Sequence, residues 1–151
     1  MKAILCLIFP TIILVGYGKS WEEKYARWMK TPAKYGGVEV LEKIKGAKQS
    51  KVTSLHLSDQ NISDITPLSE LTELRGLFLF DNNITDISPL SGLKNLNGLN
   101  LCNNKISDIT PLISLNNLRI LGLAGNPIPN DHLQMIKQNF GRTRLILPKV
   151  R

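Results

Sequence analysis

Histidine and cysteine are scarce in this 151-residue chain, with two of each. His56 and His132 stand far apart, and neither has a cysteine or carboxylate cluster at metal-ligand spacing. No metal and no cofactor is therefore expected. Serine and threonine are common, but no nucleophile elbow or base partner accompanies them. A glycine-rich phosphate loop is also missing. The chain reads as a non-enzyme. Cysteine is too rare for a disulfide framework: Cys6 lies in the first apolar run, and Cys102 stands alone once that run is removed. That apolar run, Ala3–Val15, is short for a bilayer span and is broken by Pro10.

What stands at the N-terminus has the order of an export signal. Lys2 gives a positive start, Ala3–Val15 an apolar stretch, and Gly16 and Gly18 the small residues a signal peptidase needs. Residues 1–18 are expected to be a signal peptide cleaved before Lys19. The protein is then exported: secreted, periplasmic or held at the cell envelope. An uncleaved anchor is the alternative. The net charge of +7 is uneven. Nine lysines and arginines oppose four acidic residues over 19–51, four oppose seven over 52–130, and five oppose one over 131–151. Basic ends flank a slightly acidic middle, which permits weak contact with an anionic surface. No RNA- or DNA-binding motif accompanies the charge, so no nucleic-acid partner is expected. The length suits one domain.

The middle of the chain repeats with a period of 22. Leu55, Leu77, Leu99 and Leu121 share one column, and Leu57, Leu79, Leu101 and Leu123 another. Gln60, Asn82, Asn104 and Asn126 follow, then Ile62, Ile84, Ile106 and Ile128. Asp64, Asp86 and Asp108 recur, as do Pro67, Pro89 and Pro111. Leucines two apart point to one face of a strand. The asparagines sit where the chain leaves the strand, and a side-chain amide can satisfy turn backbone groups of neighbouring copies. They form a structural ladder, with Gln60 as its longer-armed first rung. The aspartates are expected to accept hydrogen bonds within turns rather than bind calcium. Ser88 before Pro89 reads as a cap and first position of a short 3-10 stretch. One copy cannot bury its leucines alone, whereas stacked copies share a continuous core.

The pattern L-x-x-L-x-L-x-x-N-x-I-x-D-I-x-P-L, at Leu74 to Leu90 and again at Leu96 to Leu112, resembles the 22-residue class of leucine-rich repeats found in bacterial internalin-like proteins. The same class occurs in phosphatase-regulatory repeat proteins. The resemblance implies an α/β fold: a short solenoid with a parallel strand ladder on its concave face and short 3-10 or helical turns on its convex face. It also implies binding of a protein partner, of unknown identity, through the concave face.

A solenoid needs caps. Ser20 and Glu23 fit a capping box before a helix carrying Trp21, Tyr25 and Trp28. Pro32 and Gly36-Gly37 break it, and a second short helix over Val38–Lys45 is expected to end near Gly46. The aromatic helix packs on this cap or meets a membrane surface or a partner. Residues 19–51 form the N-terminal cap region, 52–130 the repeats and 131–151 the C-terminal cap. In the last of these Asp131 caps a helix with Leu133, Ile136 and Phe140 on one face. "TRLIL" follows as a covering strand.

The outward strand positions are Ser54, His56 and Ser58; Gly76, Phe78 and Phe80; Gly98, Asn100 and Cys102; and Ile120, Gly122 and Ala124. Most are small. Phe78 and Phe80 stand out, since exposed aromatics mark contact sites; the alternative is that a cap or neighbouring copy covers them. The expected partner-binding residues are His56, Arg75, Phe78, Phe80, Asn100, Arg119 and Ile120, with Cys102 a passive small side chain. A monomer is expected. The alternative role is structural: a surface-associated envelope protein held by its basic termini.

Overall fold

The first leucine of each Leu-x-Leu pair centres a three-residue strand, and Pro67, Pro89 and Pro111 each lie in a short 3-10 segment. The computed structural model of the protein describes residues 20–147; the expected signal peptide lies outside them. Two helices come first, α1 (Trp21–Trp28) and α2 (Val38–Ser50). The strands β1 (Ser54–His56), β2 (Gly76–Phe78), β3 (Gly98–Asn100) and β4 (Ile120–Gly122) follow. Between them lie 3-10 segments at Thr66–Glu70, Ser88–Leu90 and Thr110–Ser114. Helix α3 (Asn130–Asn139) and strand β5 (Arg144–Ile146) close the chain.

The five strands form one parallel sheet in chain order. Its register sets repeat beside repeat: Leu55, Leu77, Leu99 and Leu121 are successive partners, and Leu145 extends the row. One core runs from Val40 to Phe140 and includes every inward leucine and isoleucine of the repeats. Leu77, Leu79, Leu99, Leu101, Ile84 and Ile106 have 1% exposure or none. Burying one such side chain stabilises by roughly 1.5–3 kcal/mol. The strands are too short to hold a sheet by themselves, so it is the shared core that sustains them.

The corner after each strand has its own column. Asp59, Asp81 and Asn103 adopt left-handed backbone at φ 55°, 56° and 53°, and Gly125 does so at 76°. Aspartate, asparagine and glycine tolerate that region best. The asparagine ladder then fixes the turn. Asn104 Nδ2 donates to the Leu79 and Leu101 carbonyls at 2.9 and 3.1 Å, and its Oδ1 accepts from Ile84 N at 3.0 Å. Asn82 and Asn126 make the equivalent bonds one copy earlier and later. Gln60 departs from this pattern. Its Nε2 bonds only to the carbonyls of Ser58 and Asp59 in its own corner. Among the described residues no strand precedes β1 to offer the carbonyl that the other rungs reach.

Three local expectations are corrected. Ser88 does not cap its 3-10 segment. The N-cap is Ile87, without a side-chain bond, and Asp86 before it accepts from Ser88 N at 2.8 Å and from the Ser88 hydroxyl at 3.0 Å. Asp64 and Asp108 treat Thr66 and Thr110 the same way. A carboxylate two residues ahead outcompetes a hydroxyl as an acceptor. Helix α2 passes through Gly46 and ends at Ser50, because Ala47 is buried against the core and draws the next turn inward. Asp131 lies inside α3 and bonds His132 N; Pro129 stands at the cap without a side-chain bond.

The N-terminal cap is locked from several directions. Ser20 and Glu23 make both halves of the capping box. Trp28, Tyr35 and Leu41 are buried in a satellite cluster, with Trp21 and Tyr25 packed against it. The aromatic helix therefore covers the cap. Gly36, at φ 89°, lets the turn close on the first repeat: a Cβ there would lie 2.8 Å from both the Gln60 carbonyl and Ile62. Lys34 ties the same place down. Its carbonyl accepts from Ser63 N and Asp64 N at 2.9 Å, and its ammonium pairs with Asp64 at 2.8 Å. At the other end Leu133, Ile136 and Phe140 bury one face of α3, and β5 covers the edge of β4.

Candidate functional site

Alternation along the strands turns a second set of residues to the concave side, and register sorts them into rows. One row runs Ser54, Gly76, Gly98, Ile120, Arg144 and the next His56, Phe78, Asn100, Gly122, Ile146. Phe80 and Cys102 lie two residues further along their strands, beyond Phe78 and Asn100.

Phe78, Asn100, Ile120 and Ile146 surround a concave cavity of about 120 Å³ over Gly98 and Gly122. Apolar cavities of roughly 150 Å³ accept a benzene-sized group, so this one suits a single side chain. Ile120 is 48% exposed and Ile146 45%, large values for isoleucine in a sheet. Phe78 is half-buried because His56 stacks on it, centroids 4.2 Å apart and planes 9° apart. His56 thus supports the aromatic wall from behind. Phe80 is 38% exposed. Asn100 Oδ1 accepts from Cys102 N at 3.0 Å, which fixes the amide beside the cavity. Gly122 leaves room for these side chains: a Cβ would sit 2.8 Å from Asn100 Oδ1 and 2.9 Å from Cys102 Sγ and would make them shift. Gly98 is different, since a Cβ would meet nothing. Its bareness leaves the cavity open.

Arg75 and Arg119 lie exposed just before β2 and β4. Each has its backbone in the ladder, where Arg75 N bonds to the Thr53 carbonyl and Arg119 N to that of Asn97. The structure therefore brings Phe78, Asn100 and Ile120 to one cavity, stacks His56 on Phe78, and leaves Arg75, Arg119 and Phe80 outside the lining. Ile146 was not among the expected residues. β5 pairs with β4 at a spacing of 24, so the 22-residue column stops short of it. The alternation of "TRLIL" was the only signal.

The face holds little chemistry. Burial pushes the Cys102 thiol up, which disfavours a reactive thiolate. Among the described residues no group of three or more His, Cys, Asp or Glu is placed to hold a metal ion. The aspartates of the repeats are spent on their turns. No helix among these residues is long and apolar enough to cross a membrane.

A family model, Leucine Rich repeats (2 copies), matches residues 50–92 and again 72–114. No curated protein matches by sequence. Among solved structures, internalin C2 of Listeria monocytogenes is similar at 31% identity over 76% of this chain, with a TM-score of 0.61. An internalin of the same species, inlF, is similar at 28% identity over 72%, TM-score 0.61. A leucine-rich repeat protein of Leptospira interrogans shows 25% identity over 68%, TM-score 0.60. The chain spans 50%, 33% and 27% of those three chains, so it corresponds to part of each. The repeat columns, the asparagine ladder, the parallel sheet and these likenesses converge: residues 50–114 are leucine-rich repeats, and the chain is similar to internalins.

Proposed function

We propose that this protein is an exported, non-enzymatic binding module whose concave face recognises another protein. The observation that carries the reading is the cavity between Phe78, Ile120 and Ile146 over bare Gly98. The solenoid needs none of these outward side chains, and exposed apolar anchors around a side-chain-sized hollow match the hot spots of protein interfaces. The repeat fold is typical of protein-binding modules. Export rests on the order of Lys2, the apolar run and Gly16–Gly18. His56 and Asn100 position the walls, while Phe78, Phe80, Ile120 and Ile146 supply contact.

Site-specific photo-crosslinking in the producing culture tests this. A crosslinking residue in place of Ile146 should capture a protein, and one in place of exposed Thr85 on the return path should not. Gly98→Val should abolish the capture without lowering the urea midpoint, because its Cβ enters open space and valine suits a strand. Equal capture from both positions, or capture indifferent to Gly98→Val, would refute the assignment. Capture of the exported chain by anionic envelope material alone would support the structural role of the basic termini instead. The mass of the exported chain checks cleavage before Lys19.

A further inference from the structure

The two borders of the concave face differ in charge. The segments that lead into the strands carry Lys51, Arg75, Lys94, Arg119 and Arg142, and Arg144 stands at the start of β5. Glu73 is the one carboxylate on these segments. The corners that leave the strands carry Asp59 and Asp81, and Lys105 follows the third corner. Arg75 and the corner residue Asp81 are six positions apart, roughly 20 Å at the rise of an extended chain. The cavity of Phe78, Ile120 and Ile146 lies between the two borders.

Lys94 donates to the Ser114 carbonyl at 3.2 Å, but the arginines of the strand-start border are left without ion pairs: among the described residues none engages Arg75, Arg119, Arg142 or Arg144. Arg119 adjoins Ile120 in the chain, and Arg144 is the register partner of Ile120, so each stands next to a residue that lines the cavity. On the opposite border one oxygen of the Asp81 carboxylate is engaged, since Asn103 Nδ2 donates to Asp81 Oδ1 at 2.7 Å. A bound segment would meet an apolar hollow and, on one side only, unpaired guanidinium groups. Such groups favour carboxylates, which they can bind in bidentate fashion.

From this asymmetry we infer the chemistry of the partner: a protein segment with one bulky apolar side chain, flanked by aspartate or glutamate on the strand-start side. This rests on the concave face being the binding site. The apolar side chain fills the hollow and provides most of the affinity. The carboxylates set orientation and make association salt-sensitive. A segment with lysine or arginine at the flanking positions would be rejected by like charge.

A phage-displayed library of random peptides, selected on the immobilised chain, tests the inference. Enriched peptides should share a large apolar residue with acidic neighbours. The double variant Arg119→Glu, Arg144→Glu should weaken them by about tenfold at low salt, from two exposed ion pairs. The same variant should enrich peptides with basic neighbours instead. Its urea midpoint should match that of the parent, because both arginines are exposed and unpaired. Apolar peptides without acidic bias, lost in Gly98→Val but unaffected by the charge reversal, would overturn this inference and leave the concave site intact. No enrichment, or enrichment insensitive to Gly98→Val, would overturn both.

Discussion

The same strands present two opposite histories. On the inward side, Leu55, Leu77, Leu99, Leu121 and Leu145 form one uniform row. One residue along, the outward row reads His56, Phe78, Asn100, Gly122 and Ile146, with no type repeated. Neighbouring copies pack on each other through the inward row, so a change of volume there is felt on both sides. The outward row faces solvent and answers only to what it must contact. Uniformity marks the demand of the coil, and variety marks freedom from it.

That contrast can be broken from its strongest side first. Leu101→Ala, or Leu79→Ala, should cost on the order of 2–5 kcal/mol in a urea melt, because the cavity opens between two copies. A much smaller cost would mean that the inward row is not a close-packed seam. Next comes the ladder. Asn104→Ala strips partners from Ile84 N and from the Leu79 and Leu101 carbonyls, and should cost at least about 1–3 kcal/mol. Gln60→Ala should cost less than Asn104→Ala, since Gln60 ties only its own corner. Equal costs would restore Gln60 as a true rung.

Phe78→Ser sharpens the outward side. It removes the stack on His56 and should cost about 0.5–1.5 kcal/mol, well below any inward leucine. A loss equal to that of Leu101→Ala would make Phe78 part of the core. The smallest effect concerns acid. Burial raises the Asp64 carboxyl, but hydrogen bonds from Lys34 and Thr66 outweigh it and hold the group below its usual range. A carboxyl lowered in the folded state contributes stability above its unfolded pKa, and that stability is lost as pH falls through the folded value. The pair is partly exposed, so only about 0.2–1 kcal/mol is at stake. Urea midpoints at neutral pH and below pH ~4 should converge between wild type and Asp64→Asn as the pH falls. A constant difference would remove the Lys34 tie from the acid response.

Much of the coil was legible because repetition multiplies weak signals. One Leu-x-Leu says little, but four in register fix strand, face and period. Details set by competition between neighbours were harder to read. Ser88 looked like a cap until Asp86, two residues ahead, proved the better acceptor. Gly46 looked like a helix end, yet burial of Ala47 carried the helix past it. On the concave face, Phe78 and Ile120 were visible as departures from small outward residues. Ile146 was hidden because β5 joins the sheet outside the 22-residue spacing. The cavity is a property of four strands together and has no signature in any one of them.

The division of labour between the two faces is testable within a single strand, where Ile120 and Leu121 are adjacent in β4. Ile120 is 48% exposed and Leu121 fully buried. Urea melts of Ile120→Ser and Leu121→Ala, recorded side by side, weigh one residue of each face. The account predicts a shift within about 0.5 kcal/mol for Ile120→Ser and a loss of about 2–5 kcal/mol for Leu121→Ala. Comparable losses in both variants would contradict it, because the outward face would then belong to the coil.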